Sequence, residues 1–404
     1  MTGMMIWAGL LALVACVWAS RHLEINRGRR EQIPLSSRSY PGPPADPPSV
    51  SVLIAAKDEE ANIATAVSSL LRQDYPNFEL IVVNDRSRDR TPEILESFRA
   101  GDPTGRLKVL HIKQLRDGWF GKNNAMREGV EQAGGQWLCF ADADCEQTSE
   151  RTLSMAVSCA LEKKADFLSI LPRLATASLW ERIIQPVCGA VMVFWFHPRR
   201  VNDPQHPAAY ANGAFMLVSR RCYEAIGGHE AVKTEVNEDM HLARLAKSNG
   251  ARLLVMQNDD LYTVRMYARF SEIWRGWSRI FYGCFGTFRR LRVSMLMLIC
   301  TNLFPYTSLV VALAAVGLTD WPAVNPGWYW VAGVSALAVA LQLSVIARFY
   351  RLSYASPWLA PTFIIGAVIC VGMLANAMLK LKGRTTVTWR GTTYRGSKVG
   401  NPSP

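Results

Sequence analysis

Long uncharged runs toward both ends of this 404-residue chain constrain most strongly what it can fold into. The first, "MMIWAGLLALVACVWAS" at 4–20, is free of charge over a length at the lower limit for a membrane-crossing helix. Three more lie at 295–318, 328–347 and 357–379, and each is long enough to cross. Between the first and second runs lies a long hydrophilic block. The sequence therefore specifies a membrane protein with a large water-facing domain.

The basic cluster "RHLEINRGRR" follows the first run rather than preceding it, as a signal peptide would require. A retained anchor at 1–20 is expected, with the chain continuing on the cytoplasmic side of the inner membrane. "FRRLR" at 288–292 then correctly precedes the second run on that side. Four full crossings would put the tail outside, yet that tail (380–404) carries Lys380, Lys382, Arg384, Arg390, Arg395 and Lys398. One segment is expected to be re-entrant or interfacial. The candidates are 357–379, with Pro361, Gly366 and Gly372, and 295–318, with Pro305.

Net charge is +12, but the basic residues crowd beside the apolar runs instead of forming an aromatic-interleaved stripe. Anionic lipid headgroups, and not nucleic acid, are the expected partner. The nine cysteines include no CxxC pair, which argues against a disulfide framework or a zinc site.

"RSYPGPPADPPSV" closes a basic and Pro-rich linker (21–48), after which a domain spanning 49–265 begins. "VSVLIAA", "FELIVVND", "LKVLHI" and "WLCFAD" read as strands, alternating with helical patterns. That alternation predicts an α/β fold with a doubly wound, mostly parallel sheet, whose ligands bind beyond the strands' carboxyl ends. "LWERIIQPVCGAVMVFWF" reads as a helix with a broad apolar face and "HPRRVNDPQHPAA" as a mobile loop. The Trp- and Arg-rich stretch 266–292 reads as amphipathic interfacial helices.

Acids gather where the strands end: Asp58 and Glu59, then Asp85, then Asp142 and Asp144, with Glu238 and Asp239 opening a later helix. Each group alone would serve as a turn or cap residue. Two carboxylates one residue apart at a strand end also suit Mg2+ or Mn2+ held together with a diphosphate. Lys122, at a helix start, adds an anion site.

The segments "SVLIAAKDEEANIATAVSSLLRQDYPNFELIVVNDRSRDRT", "GKNNAMREGVEQAGGQWLCFADAD", "GAFMLVSRRCYEAIGGH" and "NEDMHLARLAKSNGARL", in this order, resemble the family 2 inverting glycosyltransferases of GT-A fold. The similarity is greatest to the membrane-anchored branch that includes ceramide glucosyltransferase-like, carotenoid- and hopanoid-associated enzymes. The resemblance implies a UDP-sugar donor and a divalent cation. Asp58, Glu59 and Asp85 would contact the nucleotide, although Asn84 stands where the family has a further acid. Lys122 would lie near the diphosphate. Asp142 would face ribose and sugar, Asp144 would ligate the metal with help from Asp142, and Asp239 would be the catalytic base with Glu238 as its partner. Trp274, Arg275, Trp277 and Arg279 match an acceptor and diphosphate motif imperfectly, because Gly276 separates Arg275 from the next Trp.

The expected activity is transfer of a hexose from a UDP-sugar to a hydroxyl of a membrane lipid at the cytoplasmic face, with inversion. The alternatives are a polyisoprenyl-phosphate sugar transferase, a polysaccharide synthase and an inactive membrane scaffold.

Overall fold

The computed structural model describes residues 2–31, 33–318, 325–383, 387–389 and 392–394. Of the tail's basic residues, Arg384, Arg390, Arg395 and Lys398 lie outside these. The chain divides into two compact units: Ile33–Ala175 with Met192–Met266 and the chain's end, and Met1–Gln32 with Thr176–Val191 and Tyr267–Thr385.

In the first unit the β-branched runs form the strands β1 (Val50–Ala56), β2 (Phe78–Asp85), β3 (Leu107–Ile112) and β4 (Trp137–Asp142). They are followed by β5 (Cys145–Gln147), β6 (Phe167–Leu171), β7 (Arg173–Leu174), β8 (Phe215–Ser219), β9 (Leu253–Gln257) and β10 (Tyr262–Val264). Seven of these build one sheet in the order β3-β2-β1-β4-β8-β6-β9, parallel except at β8, which opposes both neighbours. β1 and β4 are almost wholly buried, as continuous apolar strands covered by helices on both faces should be. The mostly parallel sheet is the expected one.

Register decides what this sheet can do. Ala56 lies opposite Asn84, and Ala55 opposite Asp142, so the carboxyl ends of β1, β2 and β4 coincide. β8 pairs Phe215 with Ala141, and because it runs the other way its first residues lie at that same rim. A three-stranded sheet, β5-β10-β7, continues directly from the β4 end.

The stretch 197–209, which reads as a mobile loop, is instead tied down. It forms a short helix, Pro198–Asn202. Asn202 exchanges hydrogen bonds with the Val255 backbone (2.9 and 2.7 Å), and Lys247 Nζ donates to the carbonyls of Val201 (2.6 Å) and Ala208 (2.8 Å). The prolines that suggest a loop are compatible with this fixed path because side chains, not a ladder, satisfy the backbone.

The second unit is helical. Among the described residues of the whole chain, five stretches are long and apolar enough to cross a membrane: Thr2–Gly28, Leu179–Asn202, Phe288–Gly317, Gly327–Leu352 and Pro357–Leu381. Three of these run alongside one another. Trp7 Nε1 donates to Ser308 Oγ and Trp18 Nε1 to the Thr301 carbonyl, each at 2.9 Å, so the first and third stretches are antiparallel. Trp7 against Trp328 near their starts and His22 against Arg348 near their ends make the first and fourth parallel.

Pro305 does not break its helix. A π-helical turn at Leu298–Leu303 precedes it, and the chain continues as Phe304–Gly317. In the last stretch, Pro361 sits in a 3-10 turn, Pro357–Thr362, and the helix Phe363–Leu381 is unbroken by its glycines. Those glycines are close-packing sites instead. A Cβ at Gly366 would collide with the Ile183 carbonyl, and one at Gly372 would lie 2.7 Å from the Trp274 ring.

Phe363–Leu381 thus packs beside Leu179–Trp195 and Phe270–Phe285. It begins against the end of Gly327–Leu352, where Tyr350 and Phe363 are 6.4 Å apart. It ends with Lys382 over Phe288, 5.3 Å away, at the start of Phe288–Gly317. Since those two helices are antiparallel neighbours, joined by Gln342 Nε2 donating to Asn302 Oδ1 (3.1 Å), both ends of Phe363–Leu381 approach one end of the bundle.

Candidate active site

Two acidic groups occupy the rim of the seven-stranded sheet. At the ends of β1 and β2 the acids organise loops. Asp58, at a φ of 53°, accepts from the Arg88 backbone (2.8 Å), and its own N–H donates to Ser87 Oγ (3.0 Å). Glu59 is buried, with its N–H on Thr91 Oγ1 (2.9 Å) and its carboxylate accepting from Asn62 (2.9 Å). Asp85 is buried and receives two bonds from Arg86, at 2.7 and 3.0 Å. Its carboxylate also faces the start of the helix Gly121–Glu131, 2.7 Å from where a Gly121 Cβ would be. A helix N-terminus favours a negative charge there. Asn84 is buried beside Asp85 and bonds His111 Nδ1 (2.9 Å).

At the seam between β4 and β8 the arrangement is different. Lys122 Nζ reaches Asp142 Oδ1 at 2.6 Å and Glu238 Oε1 at 2.7 Å. Asp239 Oδ2 accepts from the Gly213 N–H (2.9 Å), and Oδ1 from the Met240 N–H (2.7 Å). Burial alone would lower the Lys122 ammonium, but Asp142 and Glu238 outweigh it and hold the group well above the usual lysine range. The opposite happens at Asp239: burial first, and repulsion by Glu238 second, push its carboxyl up to about 7, against the pull of Lys122 and two N–H donors.

Lys122, Asp142, Glu238 and Asp239 are therefore brought together, although Lys122 lies 20 positions from Asp142 and 117 from Asp239. Asp144 follows two residues beyond Asp142, between β4 and β5. Among the described residues no three of His, Cys, Asp and Glu converge as a metal cage. The residues of the acceptor motif belong to the helical unit. Trp277 is buried, Arg275 is exposed and bonds the carbonyl of Ser271 one turn back (3.2 Å), and Arg279 reaches the Tyr267 hydroxyl (3.5 Å). Gly276, the residue that spoils the motif, is where the Tyr267 ring packs so closely that no side chain fits.

Sequence reading missed two contributors. Gly213 lies just before β8, and a Cβ there would meet Lys122 Nζ at 3.1 Å, Asp239 Oδ2 at 3.5 Å and Glu238 Oε1 at 3.6 Å. The glycine of "ANGAF", directly before the apolar run "AFMLV", was the available signal for a close approach. His229 is buried behind β4, 5.0 Å from the Phe140 ring and 2.8 Å from the Tyr223 hydroxyl. Burial, then Lys122, lowers its imidazole to about 3, so it stays neutral.

Residues 51–227 match the family model described as Glycosyl transferase family 2. A 4,4'-diaponeurosporenoate glycosyltransferase of Staphylococcus aureus (strain USA300) is 24% identical over 233 residues, covering 57% of this chain and 60% of the relative. The match thus leaves two fifths of that relative unspanned. A mannosyltransferase of Pyrobaculum calidifontis, solved with GDP-Man and Mn2+, has the same fold: TM-score 0.52 and 17% identity, covering 92% of this chain and 99% of that one.

Proposed function

With residues 51–227 a glycosyltransferase family 2 domain on a GT-A fold, we propose that the chain transfers a hexose from a UDP-sugar to a hydroxyl of a membrane lipid, inverting the anomeric centre. The observation that carries this is the Asp239 carboxyl. It is held by two backbone N–H groups and raised to about 7, where a general base works best. In this reading Asp239 takes the acceptor's proton as the hydroxyl attacks the anomeric carbon opposite the leaving diphosphate. Glu238 keeps Asp239 basic and Lys122 in place. Asp58, Glu59 and Asp85 shape the nucleotide pocket, and Asp142 orients ribose and sugar. The Lys122 ammonium, now on two carboxylates, lies within reach of the incoming diphosphate and offsets its charge.

A divalent cation, Mg2+ or Mn2+, fits this rim in one way. Asp144 would supply a carboxylate, with Asp142 near it, and the donor's phosphates and water would supply the other oxygens, as suits Mg2+. Such a cation would stabilise the charge of the leaving diphosphate. The Pyrobaculum protein's GDP-Man and Mn2+ support a nucleotide-sugar and metal, and leave GDP in the donor panel.

The membrane reading follows from helix directions. Thr2–Gly28, Phe288–Gly317 and Gly327–Leu352 cross, while Phe363–Leu381, both of whose ends adjoin one end of the bundle, lies at the interface with Leu179–Trp195 and Phe270–Phe285. The basic tail then stays on the cytoplasmic side with the catalytic domain, in keeping with its charge. Trp274, Arg275 and Arg279, on that interfacial layer, would meet the lipid acceptor.

The relative's name supports a second reading of the acceptor, because diaponeurosporenoate is a carboxylate and needs no base. Membranes containing the protein, incubated with labelled UDP- and GDP-hexoses, should give one labelled lipid, identified by mass and by the anomeric configuration of the bond. Transfer undiminished in Asp239→Asn would overturn the base assignment and favour an acceptor that is already ionised.

A further inference from the structure

The parallel pair Thr2–Glu31 and Gly327–Leu352 ends in a cleft that sugar transfer does not use. It holds about 240 Å3 and is lined by Ile25, Arg348, Arg351 and Leu352. Arg348 is fixed there: one guanidinium nitrogen donates to His22 Nδ1 (2.7 Å) and another to Asn26 Oδ1 (2.5 Å). A guanidinium carries five N–H donors, so two such bonds leave others for a ligand. Arg351 stands one turn further along the same helix and is exposed. The nearby acid Glu24 is paired with Arg21. The cleft thus combines two cationic forks with two aliphatic walls.

We propose that this cleft binds the phosphodiester headgroup of an anionic membrane lipid, with the phosphate on Arg348 and Arg351 and the first acyl carbons against Ile25 and Leu352. Three features select that occupant. Guanidinium forks match phosphate oxygens in pairs. The apolar walls suit a chain that a free phosphate lacks. The cleft also lies where two apolar helices end in a basic cluster, which is where headgroups of the cytoplasmic leaflet reside. This site depends on the crossing of those helices, and not on the chemistry assigned to Asp239. A bound lipid would clamp the first apolar helix to the fourth, so the anchor would be held by a ligand as well as by packing.

The test uses the full-length protein in mixed micelles containing equal phosphatidylglycerol and phosphatidylcholine, with bound lipid read by native mass spectrometry. The expected result is one retained phosphatidylglycerol per chain, unaffected by millimolar inorganic phosphate. Retention should fall at least tenfold in Arg351→Gln and be partly kept in Arg351→Lys. Arg348→Gln also loses the His22 and Asn26 bonds, so the exposed Arg351 carries the test. Equal retention of both lipids, displacement by inorganic phosphate, or unchanged retention in Arg351→Gln would overturn the proposal. None of these readouts involves sugar transfer, and resistance to alkaline extraction separately checks that the helices cross.

Discussion

The two acidic groups on one sheet rim are made of the same residue types and behave differently. At the ends of β1 and β2, Asp58, Glu59 and Asp85 are matched one by one to a backbone N–H, an amide and a guanidinium. At the β4–β8 seam, Asp142, Glu238 and Asp239 share the single ammonium of Lys122. The difference teaches that carboxylates in the first group build structure, whereas at the seam burial and a neighbouring carboxylate leave Asp239 with affinity for a proton despite its two N–H donors.

The largest expected effect comes from removing the group with that affinity. Asp239→Asn should lower transfer about 10²–10⁴-fold with the fold retained, as loss of a general base does. In the unaltered protein kcat/KM should rise with pH through about 7, because the base must be ionised. Stability should change the other way. The folded carboxyl holds its proton above the unfolded value of about 4, so stability present at low pH is lost as pH rises from about 4 to about 7. A thermal melt series should show that slope, and Asp239→Asn should lack it.

Next comes the shared cation. Lys122→Met leaves Asp142 and Glu238 without a counterion, and should cost about 3–5 kcal/mol of stability. It should also move the kcat/KM profile to higher pH, since Lys122 is the largest of the three groups that restrain the Asp239 shift. An unmoved profile would break the comparison. Gly213→Ala is the finer probe. The three atoms nearest its Cβ are side-chain ends, Lys122 Nζ first at 3.1 Å, so the protein should fold while transfer falls about tenfold, the equivalent of ~1.4 kcal/mol. The smallest effect on the chemical step belongs to the matched cluster. Asp58→Ala loses the bond from the Arg88 backbone and places alanine at a left-handed φ of 53°, costing about 1–2 kcal/mol. Its kinetic mark should be a raised KM for the donor with the pH profile unchanged.

Much of this was legible from local pattern. The strands β1 to β4 are continuous apolar runs ended by acids, so both their burial and the rim they share follow from the sequence. The far half of the sheet was harder. β8 opposes its neighbours, and β6 and β9 join it from distant segments, so no short-range period announces them. Gly213 belongs to that half, which is why the seam's closing element went unseen. In the helical unit, Gly366 and Gly372 looked like helix breakers because sequence shows a missing side chain and not the Ile183 carbonyl or Trp274 ring that occupies its place.

Sequence by itself thus determined the class of fold, the apolar segments and which residue types stand at the strand ends, since these depend on composition and short periods. Tertiary structure alone decided how charges are shared. Lys122 lies 20 residues from Asp142 and 116 from Glu238, and the antiparallel entry of β8 brings the Gly213 backbone against Lys122, Glu238 and Asp239. A carboxyl's proton affinity depends on burial and on the distance to neighbouring charges, neither of which is encoded at one position.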